Sequence, residues 1–125
     1  MSAPEPVRRI KTYSAATGTV YQYQFHEVHP ARRGLSSGAE YVYRVWANRQ
    51  SGFALKVFVK RDALKKWRER TGREFTGTEE YALAKMRLFQ AFDELEGLGA
   101  SSPAHPPDLL VDENNLEPLL AALDL

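Results

Sequence analysis

Residues 40–60 read EYVYRVWANRQSGFALKVFVK, and their alternation decides the fold class. Tyr41, Tyr43, Val45 and Ala47 fall on one side of an extended chain, and Val42, Arg44 and Trp46 on the other. After a turn at residues 48–52, Phe53, Leu55, Val57 and Val59 make an apolar face, with Ala54, Lys56, Phe58 and Lys60 opposite. A period of two with β-branched and aromatic residues marks half-buried strands. A connection this short joins strands that run antiparallel.

Upstream, residues 20–28 repeat the pattern. Tyr21, Tyr23 and Phe25 share one face, and Gln22, Gln24 and His26 the other. Pro30 is expected to end this strand, because proline donates nothing to a ladder. Residues 29–38, with Arg32, Arg33 and two glycines, then read as a basic, mobile loop. Residues 8–14 suit a further short strand anchored by Ile10 and Tyr13, before a turn at Thr17-Gly18.

Downstream the period changes to that of a helix. Asp62 is placed to cap the first helix, with Leu64 and Trp67 on its apolar side and Gly72 as its stop. Thr76 and Glu79 have capping-box spacing. Behind them Tyr81, Ala84, Leu88, Phe92 and Leu95 form one stripe, widened by Met86 and Phe89. Gly97 and Gly99 end that helix, and GLGASSPAHPP over residues 97–107 is a linker by composition. Leu116, Leu119, Leu120 and Leu123 recur at helical spacing, with Pro118 tolerable only in a first turn.

The fold expected is therefore α+β: an antiparallel β-meander of three to four strands, two helices, and a short C-terminal helix after the Pro/Gly linker. Residues 1–7 are expected to be disordered, 8–97 to form the α+β domain, 98–108 the linker and 109–125 a short amphipathic segment.

Charge is divided along the chain. Up to Glu74 there are 15 Lys and Arg against 6 Asp and Glu, a net +9; from Phe75 onward there are 2 against 10, a net −8. Either the two parts neutralise each other within the fold, or one of them meets a partner of opposite charge. With no cysteine, disulfides, thiolate metal sites and cysteine nucleophiles are excluded. No leader-like apolar segment opens the sequence and no run reaches the ~18 apolar residues of a membrane helix, so a cytoplasmic chain is expected.

Catalytic patterns are weak. His26-Glu27-Val28-His29 resembles a fragment of the zinc-protease motif, but that motif needs two residues between Glu and the second His on a helix. On a strand, positions 26 and 29 point to opposite faces, and His105 lies in the linker. Ser36 and Ser37 lack a nucleophile elbow, and Gly34 and Gly38 lack a P-loop lysine. Glu79/Glu80 and Asp93/Glu94 are neighbours on a helix and do not face one another. No catalytic residue, metal site or cofactor is expected.

The constellation that remains is the far side of the sheet. If Leu55, Val57 and Val59 are buried, the opposite face interleaves Trp46 and Phe58 with Arg44, Lys56 and Lys60, and Gln22, Gln24 and His26 continue it. Bases stack on such rings while cations take the phosphates. Arg32 and Arg33 and the basic first helix would extend the footprint. The structural alternative is that Trp46 and Phe58 lie under a helix, with Arg44 and Lys56 snorkelling past them. In layout, strands followed by helix, the chain resembles the PUR and Whirly single-stranded nucleic-acid-binding domains; no shared motif accompanies it. The expected function is a non-enzymatic binding module for single-stranded nucleic acid. A protein-interaction adaptor, assembly subunit or homodimer is the alternative. Leu116, Leu119, Leu120 and Leu123 would serve a partner groove unless, as is the simpler expectation, they pack on their own domain.

Overall fold

A computed structural model describes residues 9–47, 52–94 and 108–123. Five strands form one sheet in the order β1-β2-β3-β4-β5, with β1 Lys11–Ser14, β2 Val20–Arg33, β3 Ser36–Ala47, β4 Phe53–Lys60 and β5 Asp108–Val111. The first four are antiparallel. The fifth runs parallel to β4, with Lys56 opposite Asp108 and Val59 opposite Val111. A parallel partner requires a crossover, and helices α1 (Arg61–Thr71) and α2 (Gly77–Glu94) provide it. Helix α3, Leu116–Ala122, follows β5.

The strands are where alternation put them, with three corrections. The sheet has five strands and is mixed, because Asp108, the last residue of the expected linker, opens β5. Pro30 does not end β2, which continues to Arg33 opposite Ser36. Pro30 is tolerated because β1 covers only residues 20–23 of β2, so beyond them β2 is an edge where a missing N–H breaks no ladder. The expected loop at 29–38 is thus the end of a long hairpin. Its turn is Gly34-Leu35, with Gly34 at φ 61°, the left-handed conformation that a tight hairpin turn wants at its first position. Third, a bulge between Phe25 and Glu27 leaves His26 as the extra residue. The bulge resets the alternation, so Glu27 and His29, not His26, continue the face of Gln22 and Gln24.

The helix caps show one further departure. Lys60, not Asp62, is the N-cap of α1, and no side chain caps it. The helix begins directly off β4, so Asp62 lies inside the first turn, where its charge suits the dipole. Gly72 ends α1 at φ 73°, donating its N–H to the Arg68 carbonyl. Thr76 and Glu79 form the expected capping box: the Glu79 N–H donates to Thr76 Oγ1 at 3.1 Å, and the Thr76 N–H donates to Glu79 Oε1 at 3.0 Å.

The core lies between one sheet face and the helices. Tyr21, Tyr23, Tyr43, Val45, Leu55, Val57, Leu109 and Val111 meet Leu83, Leu88 and Phe92 of α2 and Leu116, Leu119 and Leu120 of α3. The C-terminal leucines are therefore part of this protein's own core, with Leu123 packed against it. Aromatic stacking closes the β1 end: Tyr21 lies on Phe92 at 4.2 Å and Tyr13 on Phe89 at 4.4 Å. Asp93, unfavourable for the dipole at a helix C-terminus, accepts from the Tyr13 hydroxyl at 2.7 Å and the Ala16 N–H at 2.8 Å. At the other edge Arg87 of α2 donates to the Leu110 carbonyl at 3.1 Å and holds β5.

Candidate ligand-binding face of the sheet

Because the helices gather on one side, the alternate residues of every strand define a second face. Strand pairing sets its neighbours: Gln22 beside Trp46, Gln24 beside Arg44 and Ala54, Val42 beside Lys56, and Glu40 beside Phe58. Every aromatic side chain but two belongs to the core or packs against it, and those two are Trp46 and Phe58. The sequence-derived face thus exists as a face, but its members divide into two groups with different chemistry.

Phe58 is not available for stacking. It is 1% exposed although no helix covers it. The curled end of the β2–β3 hairpin does so instead, with the Arg33 guanidinium 5.0 Å above the ring centroid. Gly38 makes the approach possible: a Cβ there would stand 2.2 Å from the Val59 carbonyl oxygen and 2.8 Å from Phe58 Cζ.

Arg33 is held in place by a network that the sequence did not announce. Its Nε and Nη2 form a fork on Asp108 at 2.7 and 3.2 Å, and Nη2 also reaches Glu40 at 3.1 Å. The Asp108 bonds, opposed by partial burial, hold its charged form still more firmly. Glu40 is 5% exposed, the only buried charged residue among those described. Lys56 Nζ at 3.5 Å and His29 Nε2 at 3.7 Å complete its surroundings. A carboxylate taken out of water this far needs several charged partners. Arg33 and part of Lys56 are therefore committed to Glu40 and Asp108. Lys60 is committed as well, to Glu113 at 3.3 Å. The visible signal for this cluster was Glu40 itself, a lone acid entering a basic strand face.

The other group is open. Trp46 is half-buried, with the Arg44 guanidinium 5.9 Å from its ring and Gly52 against its indole edge. Arg44 is exposed and has no carboxylate partner among the described residues. The Lys56 side chain is 54% exposed despite its contact with Glu40. Gln22 and Gln24 flank this patch on β2. Arg32 is exposed too, but its turn lies at the far end of the hairpin from Trp46. Of the residues expected to form one surface, the structure brings Arg44 to Trp46, sets Lys56 on the same face opposite Val42 with its ammonium near Glu40, and separates Phe58, Lys60, Arg32 and Arg33 from Trp46.

Among the described residues no group of three or more acidic, histidine or cysteine side chains is placed to hold a metal, and no helix is long and apolar enough to cross a membrane. Compared with protein-family models, with curated proteins and with solved structures, the chain matches none.

Proposed function

We propose that this protein is a non-enzymatic binding module that takes single-stranded nucleic acid on the helix-free sheet face, at Gln22, Gln24, Arg44, Trp46 and Lys56. The observation that carries the reading is Trp46: the one aromatic side chain off the core side that is still accessible, with an unpaired arginine over its ring. A base stacks on the indole, Arg44 and Lys56 meet flanking phosphates, and the two glutamine amides offer donors and acceptors to base edges. With one stacking ring, worth about 1–3 kcal/mol per base, the site is short and its affinity modest. Two phosphate contacts give a slope of about −1.4 for log K against log salt concentration.

Titrating a labelled single-stranded oligonucleotide at two salt concentrations tests this, with Trp46 fluorescence read in a Trp67→Phe background. Trp46→Ala should abolish detectable binding and Lys56→Ala should flatten the salt slope. No binding at low salt, or binding indifferent to both substitutions, sinks the reading.

A protein-interaction role is favoured by a different observation. Leu35 stands fully exposed at the hairpin tip, and Leu110 is partly exposed on β5 beside Phe58. Size exclusion with light scattering on the wild type and on Leu35→Ser decides it: a strict monomer in both argues against self-association.

A further inference from the structure

Helix α1 carries its cations on two faces, and the structure treats them differently. On one, Lys66 pairs with Glu113 at 3.7 Å and Arg70 with Glu117 of α3. On the other, Arg61, Lys65 and Arg68 stand at i, i+4 and i+7, one above another along the helix. Among the described residues neither Arg61 nor Lys65 has an ion-pair partner, while Arg68 meets Glu74 at 3.4 Å. That last pair is mostly exposed, with 78% of the Glu74 side chain open, so it is weak and easily displaced.

These three cations form one wall of a groove of about 270 Å³ between α1 and the start of α2. Its apolar lining is Leu64 and Phe75, the latter ring supported by Trp67 at 4.5 Å. Glu80 lies at the sheet side, where its Oε1 accepts the Tyr41 hydroxyl at 2.8 Å and is thereby engaged. The cavity is too small for a drug-sized ligand. It fits one anionic group and one ring.

We propose that this groove binds a small phosphate monoester with a flat ring, the phosphoryl group on Arg61, Lys65 and Arg68 and the ring over Leu64 and Phe75. Two guanidiniums flanking an ammonium match a dianionic phosphoryl group, because each can present a fork of parallel N–H donors. A ligand anion displaces Glu74 from Arg68. The site lies on the helix side of the sheet and does not share a residue with the Trp46 face, so the two stand or fall separately.

Phenyl phosphate is the probe, with inorganic phosphate at matched ionic strength beside it. The expected result is a saturable rise in Tm and amide NMR shifts confined to residues 61–68 and 74–76, with the Trp46 indole signal unmoved. Inorganic phosphate should bind at least tenfold more weakly, for want of the ring. Arg61→Gln combined with Lys65→Gln should weaken phenyl phosphate at least tenfold with an unchanged circular dichroism spectrum, and Lys66→Gln should leave binding as it is. Equal binding of the two phosphates, an unaffected double variant, or shifts spread over all surface cations would each overturn the proposal. So would an acidic peptide that binds the same residues more tightly than the ester.

Discussion

Replacing Arg33 by alanine separates a ligand-binding arginine from a structural one. As a surface cation waiting for phosphate, its loss would leave stability almost unchanged. Besides a local bond to the Arg32 carbonyl, the structure gives it three attachments to other strands. The fork on Asp108 involves a half-exposed carboxylate and is worth about 0.5–1 kcal/mol. Glu40 is 6% exposed at its side chain, and losing the nearer of its two cationic partners costs it about 1–2 kcal/mol. Uncovering Phe58 forfeits a cation–π contact of about 0.5–1 kcal/mol and wets part of a ring that is now dry. Arg33→Ala should therefore destabilise by about 2–4 kcal/mol, a Tm drop of roughly 10 °C for a chain of this length. Urea unfolding followed by circular dichroism measures it. Arg33→Met keeps an apolar cover over Phe58 without the charge and should recover about 1 kcal/mol of the loss. If Arg33→Ala unfolds within about 0.5 kcal/mol of the wild type, the clasp does not exist and Arg33 returns to the pool of cations free for a ligand.

Three other outcomes follow from particular contacts. Gly38→Ala forces a methyl group into the Val59 carbonyl and the Phe58 ring, and should cost about 2–4 kcal/mol and loosen the hairpin, read as faster amide exchange across β2 and β3. Tyr43→Phe removes a buried hydroxyl that has no hydrogen-bond partner, and should be neutral or stabilising by about 1 kcal/mol in urea unfolding, where a loss of stability would mean the hydroxyl is satisfied. Burial is the main cause raising the phenols of Tyr13, Tyr21, Tyr23, Tyr41 and Tyr43 above their ordinary value of 10.0, Tyr13 to about 12 with Asp93 assisting. The folded state favours the neutral phenol, so this stability is complete below pH 10 and is lost as pH rises above it, through about 12 for the Tyr13 contribution. Phenolate absorbance should then appear together with loss of the circular dichroism signal, and phenolates forming in an intact fold would contradict the burial.

The three central strands were legible because each turns one apolar face to the helices. Leu55, Val57 and Val59 must be dry, and a slip of one residue would bury Lys56. Strand β5 was not legible. Four residues, Asp-Leu-Leu-Val, carry too little pattern to separate from a linker, and their pairing with β4 depends on a crossover of two helices. Nor does the sequence announce the bulge at His26, since an extra residue simply shifts the phase of an alternation that is already fading towards Pro30. The open face was half legible for the same reason. Period two assigns Phe58 and Trp46 to one side, but whether each is covered depends on how far the hairpin curls. That is decided by Gly38 and by the Arg33–Asp108 contact, which joins residues 75 apart.

The division of charge along the chain acquires a physical meaning in the fold. Arg33–Asp108, Lys60–Glu113, Lys66–Glu113, Arg70–Glu117 and Arg73–Glu79 each join a cation from the basic part to an anion from the acidic part. Four of the five reach β5, the turn after it, or α3, so the acidic segment returns to lie against the basic one. As mostly exposed pairs they contribute little stability individually. Their larger effect is selective: they take Arg33, Lys60, Lys66, Arg70 and Arg73 out of competition for a ligand. Among the cations without an ion-pair partner in the described residues, Arg44 stands beside Trp46, and Arg61 and Lys65 stand beside Phe75. An anion with a ring finds an unpaired cation beside an accessible aromatic side chain at Trp46 and at Phe75, and at both the ring, not the charge total, sets what can bind.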